Sequence, residues 1–187
     1  AERLGIVNID TIFAISEEDQ QKMVSKSGGN ETSFNESIYA PIAGSTVDLK
    51  NCGDRAFAMK ALGDGLAIQP KDVKTEVLSP VDGEVTSVSG SKHAYTIMTN
   101  NNVGVLIHVG IDTVKLNGTG FDVKVSEGDE VKKGDVLTVA DFAKIKESGY
   151  KTPVIVTVVN TNEMKEVSAK TKDTNVKAGD KLIDVVG

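Results

Sequence analysis

The feature that most limits this chain is how often its apolar runs are cut short. From residue 38 onward, short Val/Ile/Thr-rich stretches alternate with Gly, Asp, Asn and Pro: TEVLSPVDGEVTSVSG, AYTIMT, VGVLIHVG, FDVKVSEGDEVKKGDVLTVA, TPVIVTVVN and VKAGDKLIDVVG. β-Branched residues fit a pleated sheet, and the punctuating residues supply the dihedrals that tight turns need. This rhythm has no room for long helices. It predicts an all-β fold, an antiparallel β-sandwich or barrel with short helical turns. Only AKIKESGY, near residue 143, reads as helical, and briefly. Two echoes, Pro-x-x-Gly at Pro41 and Pro80 and VKxGDxL at Val131 and Val176, read as repeated hairpins rather than repeated sites.

Residues 16 to 37 are polar and contain Ser-Gly-Gly. They read as a linker or loosely attached arm, with a short helix around Glu17 to Val24. The expected division is therefore an arm over 1–37 and a domain over 38–187. The chain begins at Ala1 rather than Met, as a piece cut from a longer polypeptide would. Its net charge is −6, and no basic block points to nucleic acid or an anionic membrane as partner. No apolar run approaches the roughly 20 residues that span a bilayer. Cys52 is the one cysteine, which excludes an intramolecular disulfide and fits a reducing cytosol.

Both histidines, His93 and His108, fall in SKHAYTIMTNNNVGVLIHVGID, on either side of Asn100-Asn101-Asn102. Asn tolerates the left-handed conformation of hairpin turns. A two-residue loop puts His93 opposite His108 or two places from it. Both rings then share a face, with Cβ atoms roughly 4.5 to 8 Å apart. A three-residue loop puts them on opposite faces. Paired imidazoles suit phosphoryl transfer, because a neutral ring nitrogen is a nucleophile near neutral pH. Ser91 offers a hydroxyl beside His93, and the backbone N–H at Gly110 a donor for added negative charge. The same spacing fits an ordinary packed pair. Two histidines with one nearby Asp do not fill a zinc site.

IHVGIDTVKLNGTGF (107–121), GDGLAIQP (63–70), SPVDGEV (79–85), KHA (92–94), YAPIAG (39–44) and KTPVIVT (151–157) resemble the glucose-type IIA domain of the bacterial phosphoenolpyruvate-dependent sugar phosphotransferase system. The resemblance runs from about Tyr39 to the carboxyl terminus. It implies a β-sandwich phosphocarrier that takes a phosphoryl group from the phosphohistidine of HPr and passes it to a cysteine of a IIB domain. It makes His108 the phosphoacceptor, through Nε2, and His93 the second active-site histidine. Ser91 takes the position of a hydroxyl that orients His93. Asp54 and Asp112 match acidic residues that flank the site. Phe57, Leu62, Leu106 and Val114 match an apolar rim that docks partners. The family often has Pro before the Asp54 position and Val-Phe after it; Gly53, Arg55 and Ala56 depart from that and make the rim more polar.

The resemblance further implies a cytoplasmic protein, either free-standing or the cytoplasmic part of a membrane permease, with IIB or IIC domains separate or fused. No cofactor is expected. Zinc is expected at His93 and His108 only in a complex whose partner adds a carboxylate. The second function class is a regulatory module that docks permeases or kinases through the same face; an intact histidine pair favours the carrier. A biotinyl or lipoyl carrier fails on order. Ala58-Met59-Lys60 precedes the GDEVKKGD segment and Glu163-Met164-Lys165 lies far beyond it, whereas Met-Lys must stand at a hairpin tip shortly after. Cys52 lacks the Thr-Arg-x-Arg cradle of a phosphocysteine. LNGTGF lacks the third glycine of a dinucleotide loop, and no Walker motif is present.

Overall fold

The computed structural model describes residues 33–169 and 174–187. Its strands are β1 (Asn35–Tyr39), β2 (Gly44–Val47), β3 (Asp64–Gln69), β4 (Lys74–Leu78), β5 (Gly83–Val88), β6 (Ala94–Met98), β7 (Gly104–Val109), β8 (Phe121–Val123), β9 (Glu130–Val131), β10 (Val136–Asp141), β11 (Val154–Val158), β12 (Glu166–Ala169), β13 (Asn175–Val176) and β14 (Lys181–Val186). Two short helices, α1 (Arg55–Ala58) and α2 (Phe142–Glu147), interrupt them. The second is the helix expected near residue 143; the first is an addition.

The strands form one eight-stranded sheet, ordered β13-β2-β3-β11-β7-β6-β5-β9, and two three-stranded sheets, β1-β14-β12 and β4-β10-β8. Every pairing is antiparallel. The large sheet ends in two-residue strands, so it is an open layer and not a closed barrel. Short edges of this kind offer little template for pairing with another chain.

The folded unit starts earlier than residue 38. Strand β1 pairs Asn35 with Val186 and Ser37 with Asp184, whose carboxylate accepts from the Ser37 hydroxyl at 3.2 Å. Asn, Glu and Ser disguised an edge strand as linker. The helix expected around Glu17 to Val24 lies outside the described residues.

The main core lies between the large sheet and the two small ones, where Leu66, Ile68, Tyr95, Ile97, Ile107 and Val156 meet residues such as Val77, Leu137 and Ile183. A second apolar cluster covers the other face. There Ala67, Ala94, Leu106 and Ile155 lie under Leu49, Cys52, Phe57, Leu62 and Ile111. The central strands β6, β7 and β11 are thus buried at every position. A strand covered on both faces has no reason to alternate polar with apolar residues, which is why VLIHV and VIVTV read as continuous runs.

The hairpin between β6 and β7 carries the histidines. Thr99 N–H donates to Val103 O at 3.0 Å, and Asn102 N–H closes a turn on Thr99 O at 3.0 Å. Asn102 has φ 62. This is the three-residue loop, a tight turn ending in one left-handed residue. Its strand register pairs Ala94, not His93, with His108.

Candidate functional site

His108 is the next-to-last residue of β7, with Ala94 on β6 and Ile155 on β11 as its cross-strand neighbours. Its ring therefore stands on the same face as the second cluster, and the Phe57 ring meets it edge-on at 5.0 Å. The His93 ring lies 4.8 Å away at an interplanar angle of 87°. The expected pair exists, although the loop length expected to prevent it is present. The parity argument fails because His93 is not inside the strand. It follows Lys92, whose φ is 64, and precedes the first strand residue, so strict alternation does not govern its side chain.

A turn hydroxyl holds His93, and it belongs to Ser89 rather than Ser91. Ser89 Oγ accepts the backbone N–H groups of His93 and Ala94, each at 3.2 Å, and lies 3.1 Å from His93 Nδ1. A hydroxyl has two lone pairs and one proton. With both lone pairs taken by amides, the proton goes to Nδ1. Neutral His93 then carries its own hydrogen on Nε2. Ser91 stands two residues further along in a half-buried turn position. The missed signal was a Ser-Gly turn four residues before the histidine.

The turn after β7 fixes the other side. Gly110 N–H donates to Pro153 O at 2.8 Å and Ile111 N–H to Lys151 O at 3.0 Å. The Gly110 amide is therefore engaged and does not serve as a donor to an anion at His108. Glycine is required there for a different reason. Its φ is +80, and a Cβ would lie 2.5 Å from Thr113 Cγ2. Thr113 Oγ1 in turn donates to Val109 O at 2.6 Å.

His108 is 2 % exposed and His93 is 1 % exposed. Both ring nitrogens of His108 are shielded from solvent and neither meets hydrogen-bond geometry. Burial, and then the neighbouring His93, push the His108 pKa well below its ordinary 6.5; the Gly110 backbone opposes this only in part. His108 is a neutral, unsolvated imidazole, the form that attacks phosphorus.

The expected docking residues divide. Asp54 caps α1 by accepting Phe57 N–H at 3.1 Å, and Asp112 is exposed in a left-handed turn at φ 60. Val114 is half-buried. Phe57, Leu62 and Leu106 are not rim residues at all, being buried in the second cluster. They fill the space between the sheet and α1, while Arg55, Met59 and Lys60 face solvent. Cys52 is buried, and burial raises its thiol pKa, as suits a packing residue. Among the described residues, no three His, Cys, Asp or Glu side chains gather as a metal site.

The sequence model of the family described as phosphoenolpyruvate-dependent sugar phosphotransferase system, EIIA 1, matches residues 36–164. The chain belongs to this family. The IIA domain is 42 % identical over 146 residues to a "PTS system glucose-specific EIIA component" of Oceanobacillus iheyensis, covering 78 % of this chain and 87 % of that one. It is 42 % identical over 137 residues to the "PTS system glucosamine-specific EIICBA component" of Bacillus subtilis, covering 72 % of this chain and 21 % of that one. Among solved structures, glucose permease IIA from Mycoplasma capricolum superposes with a TM-score of 0.71 at 33 % identity, over 81 % of this chain and 96 % of that one. The IIA domain is thus a phosphocarrier component of sugar uptake with an open antiparallel β-sandwich fold. No helix among its described residues is long and apolar enough to cross a membrane.

Proposed function

We propose that His108 is the phosphoryl carrier of this IIA domain. Its Nε2 lone pair forms an N–P bond as the P–N bond of HPr phosphohistidine breaks. A cysteine thiolate of a IIB domain then takes the phosphoryl group, breaking the bond to His108. The observation that carries this reading is the contact between a neutral, unsolvated His108 and a His93 held by Ser89. His93, protonated on Nε2, donates to the phosphoryl oxygens and compensates charge that the Gly110 amide does not. Docking of both partners falls to the exposed surface around Asp54, Arg55 and Asp112, in the cytoplasm, with IIB on a separate polypeptide or on the same one.

Transfer by this route requires no metal. The pair offers two of the four ligands of a tetrahedral zinc, so zinc binding awaits a partner carboxylate. The deciding measurement is intact mass after incubation with phosphoenolpyruvate, enzyme I and HPr. The expected result is an acid-labile gain of one phosphoryl group that is lost in His108→Gln. His93→Gln is expected to accept the group and to pass it on poorly. Absence of labelling in the wild-type chain defeats the carrier assignment, and normal onward transfer by His93→Gln defeats the division of roles.

A further inference from the structure

A carrier must meet its donor nitrogen to phosphorus, yet both ring nitrogens of His108 are shielded from solvent. The described conformation is closed, and one of the groups around the ring has to move. The strand neighbours Ala94 and Ile155 belong to the centre of the large sheet. His93 is tied at its ring and its backbone to Ser89. Phe57 is differently mounted. It sits on a single-turn helix, and the backbone hydrogen bonds from Asp54 to Gly63 close within that segment: Ala58 to Asp54, Met59 to Arg55, Lys60 to Phe57, Ala61 to Ala56 and Gly63 to Lys60.

The two ends of the segment differ. Both are glycines with left-handed backbone, Gly53 at φ +100 and Gly63 at φ +102. Gly63 is pinned, since a Cβ there would lie 1.9 Å from Val158 O, and Thr157 Oγ1 donates to Leu62 O at 2.9 Å beside it. At Gly53 the three atoms nearest to where a Cβ would be all belong to the Lys151 side chain, with its Cδ at 3.1 Å. A long flexible ammonium side chain is an easily displaced cover.

We infer that residues 53–63 form a lid over His108, latched by the buried Phe57 ring and pivoting at its Gly63 end, and that partner docking lifts it. The lid rests on His108 being the reacting group, but its test is independent of HPr. Phosphoramidate is a small phosphoryl donor: the imidazole lone pair forms the N–P bond while the reagent's P–N bond breaks and ammonia leaves. Burial of a phenylalanine ring holds the lid shut, so removing the ring should accelerate His108 labelling by phosphoramidate about ten- to a hundredfold in Phe57→Ala. Phe57→Leu, which keeps an apolar latch, should show a smaller acceleration and decides the matter if Phe57→Ala fails to fold. Phe142→Leu removes a ring equally buried in the other core and should leave the rate unchanged. Unchanged rates in the folded Phe57 variants, or equal acceleration in Phe142→Leu, overturn the lid. HPr-dependent labelling of the wild-type chain separately reports on the carrier assignment, so the two failures are distinguishable.

Discussion

Replacing Ser89 by alanine removes one atom with three contacts: two backbone amides at 3.2 Å and His93 Nδ1 at 3.1 Å. The amide bonds are long, so each contributes at the low end of the net range of about 0.5–1.5 kcal/mol, and their joint loss should cost roughly 1–2 kcal/mol of stability. The third contact has a chemical consequence as well. Without the hydroxyl proton, Nδ1 no longer has a donor, and nothing at that atom keeps the ring hydrogen on Nε2. If one hydrogen bond to the leaving phosphoryl group is weakened by about 1 kcal/mol, transfer to IIB slows roughly fivefold. Acceptance from HPr should change less, because His108 keeps its own surroundings. The assay pairs rapid-quench transfer from the phosphorylated chain to IIB with nitrogen-15 spectra of His93, which report its tautomer directly. Ser89→Thr should restore both readings. The reasoning is refuted if Ser91→Ala slows transfer more than Ser89→Ala does, or if Ser89→Ala leaves the His93 tautomer as it was.

Three further outcomes follow from groups near the site or the hairpin. His108 has a folded pKa below the unfolded value of 6.5, so the unfolded chain binds the extra proton first as pH falls. Its contribution to stability is intact above that pH and declines below it, and urea titrations of His108→Gln should lose this decline as pH falls below about 6.5; for the same reason the C2 proton shift of His108 should begin to move at a lower pH in the folded chain than in the unfolded one. Glu36 accepts from Thr99 Oγ1 at 2.9 Å and Asn101 Nδ2 at 3.2 Å, while burial raises its pKa above 4.5. Its ionisation at neutral pH opposes folding, so Glu36→Gln should stabilise the chain at pH 7 by no more than about 1 kcal/mol, the partial exposure screening the charge, with no gain below pH 4. Gly110→Ala places a methyl 2.5 Å from Thr113 Cγ2 at φ +80, and should cost about 1–3 kcal/mol in urea melts and reduce phosphoryl acceptance.

The β character of the chain was legible because turn residues recur at strand spacing, and the helix over 142–147 because AKIKES carries no such residue. What failed were inferences that needed a third dimension. The run VGVLIHVG, buried throughout, already signalled a strand covered on both sides, and such a strand requires something to lie on its outer face. GDRAFAMKAL supplies that cover, which is why Phe57 and Leu62 are buried and do not form an apolar docking rim. The alternation argument at the hairpin fails for a local reason. Alternation rules apply to residues with strand dihedrals, and the left-handed Lys92 exempts His93. Ser89 escaped notice because a hydroxyl four residues from a histidine has no reach in an extended strand; it acquires reach only when the chain turns between them.

The Asn100–Asn102 loop is polar and lies at the surface, where insertions and deletions are ordinarily absorbed. That holds here: removing one residue from the tip leaves Thr99 and Val103 as the closing pair, so Ala94 still faces His108 and neither strand turns over. The site is sensitive instead to a slip in the pairing, since a shift of β6 by one residue against β7 would turn its side chains to the opposite face. The tip is therefore free to vary in length, while the residues buried on both faces of β6 and β7 hold the alignment that keeps the imidazoles together.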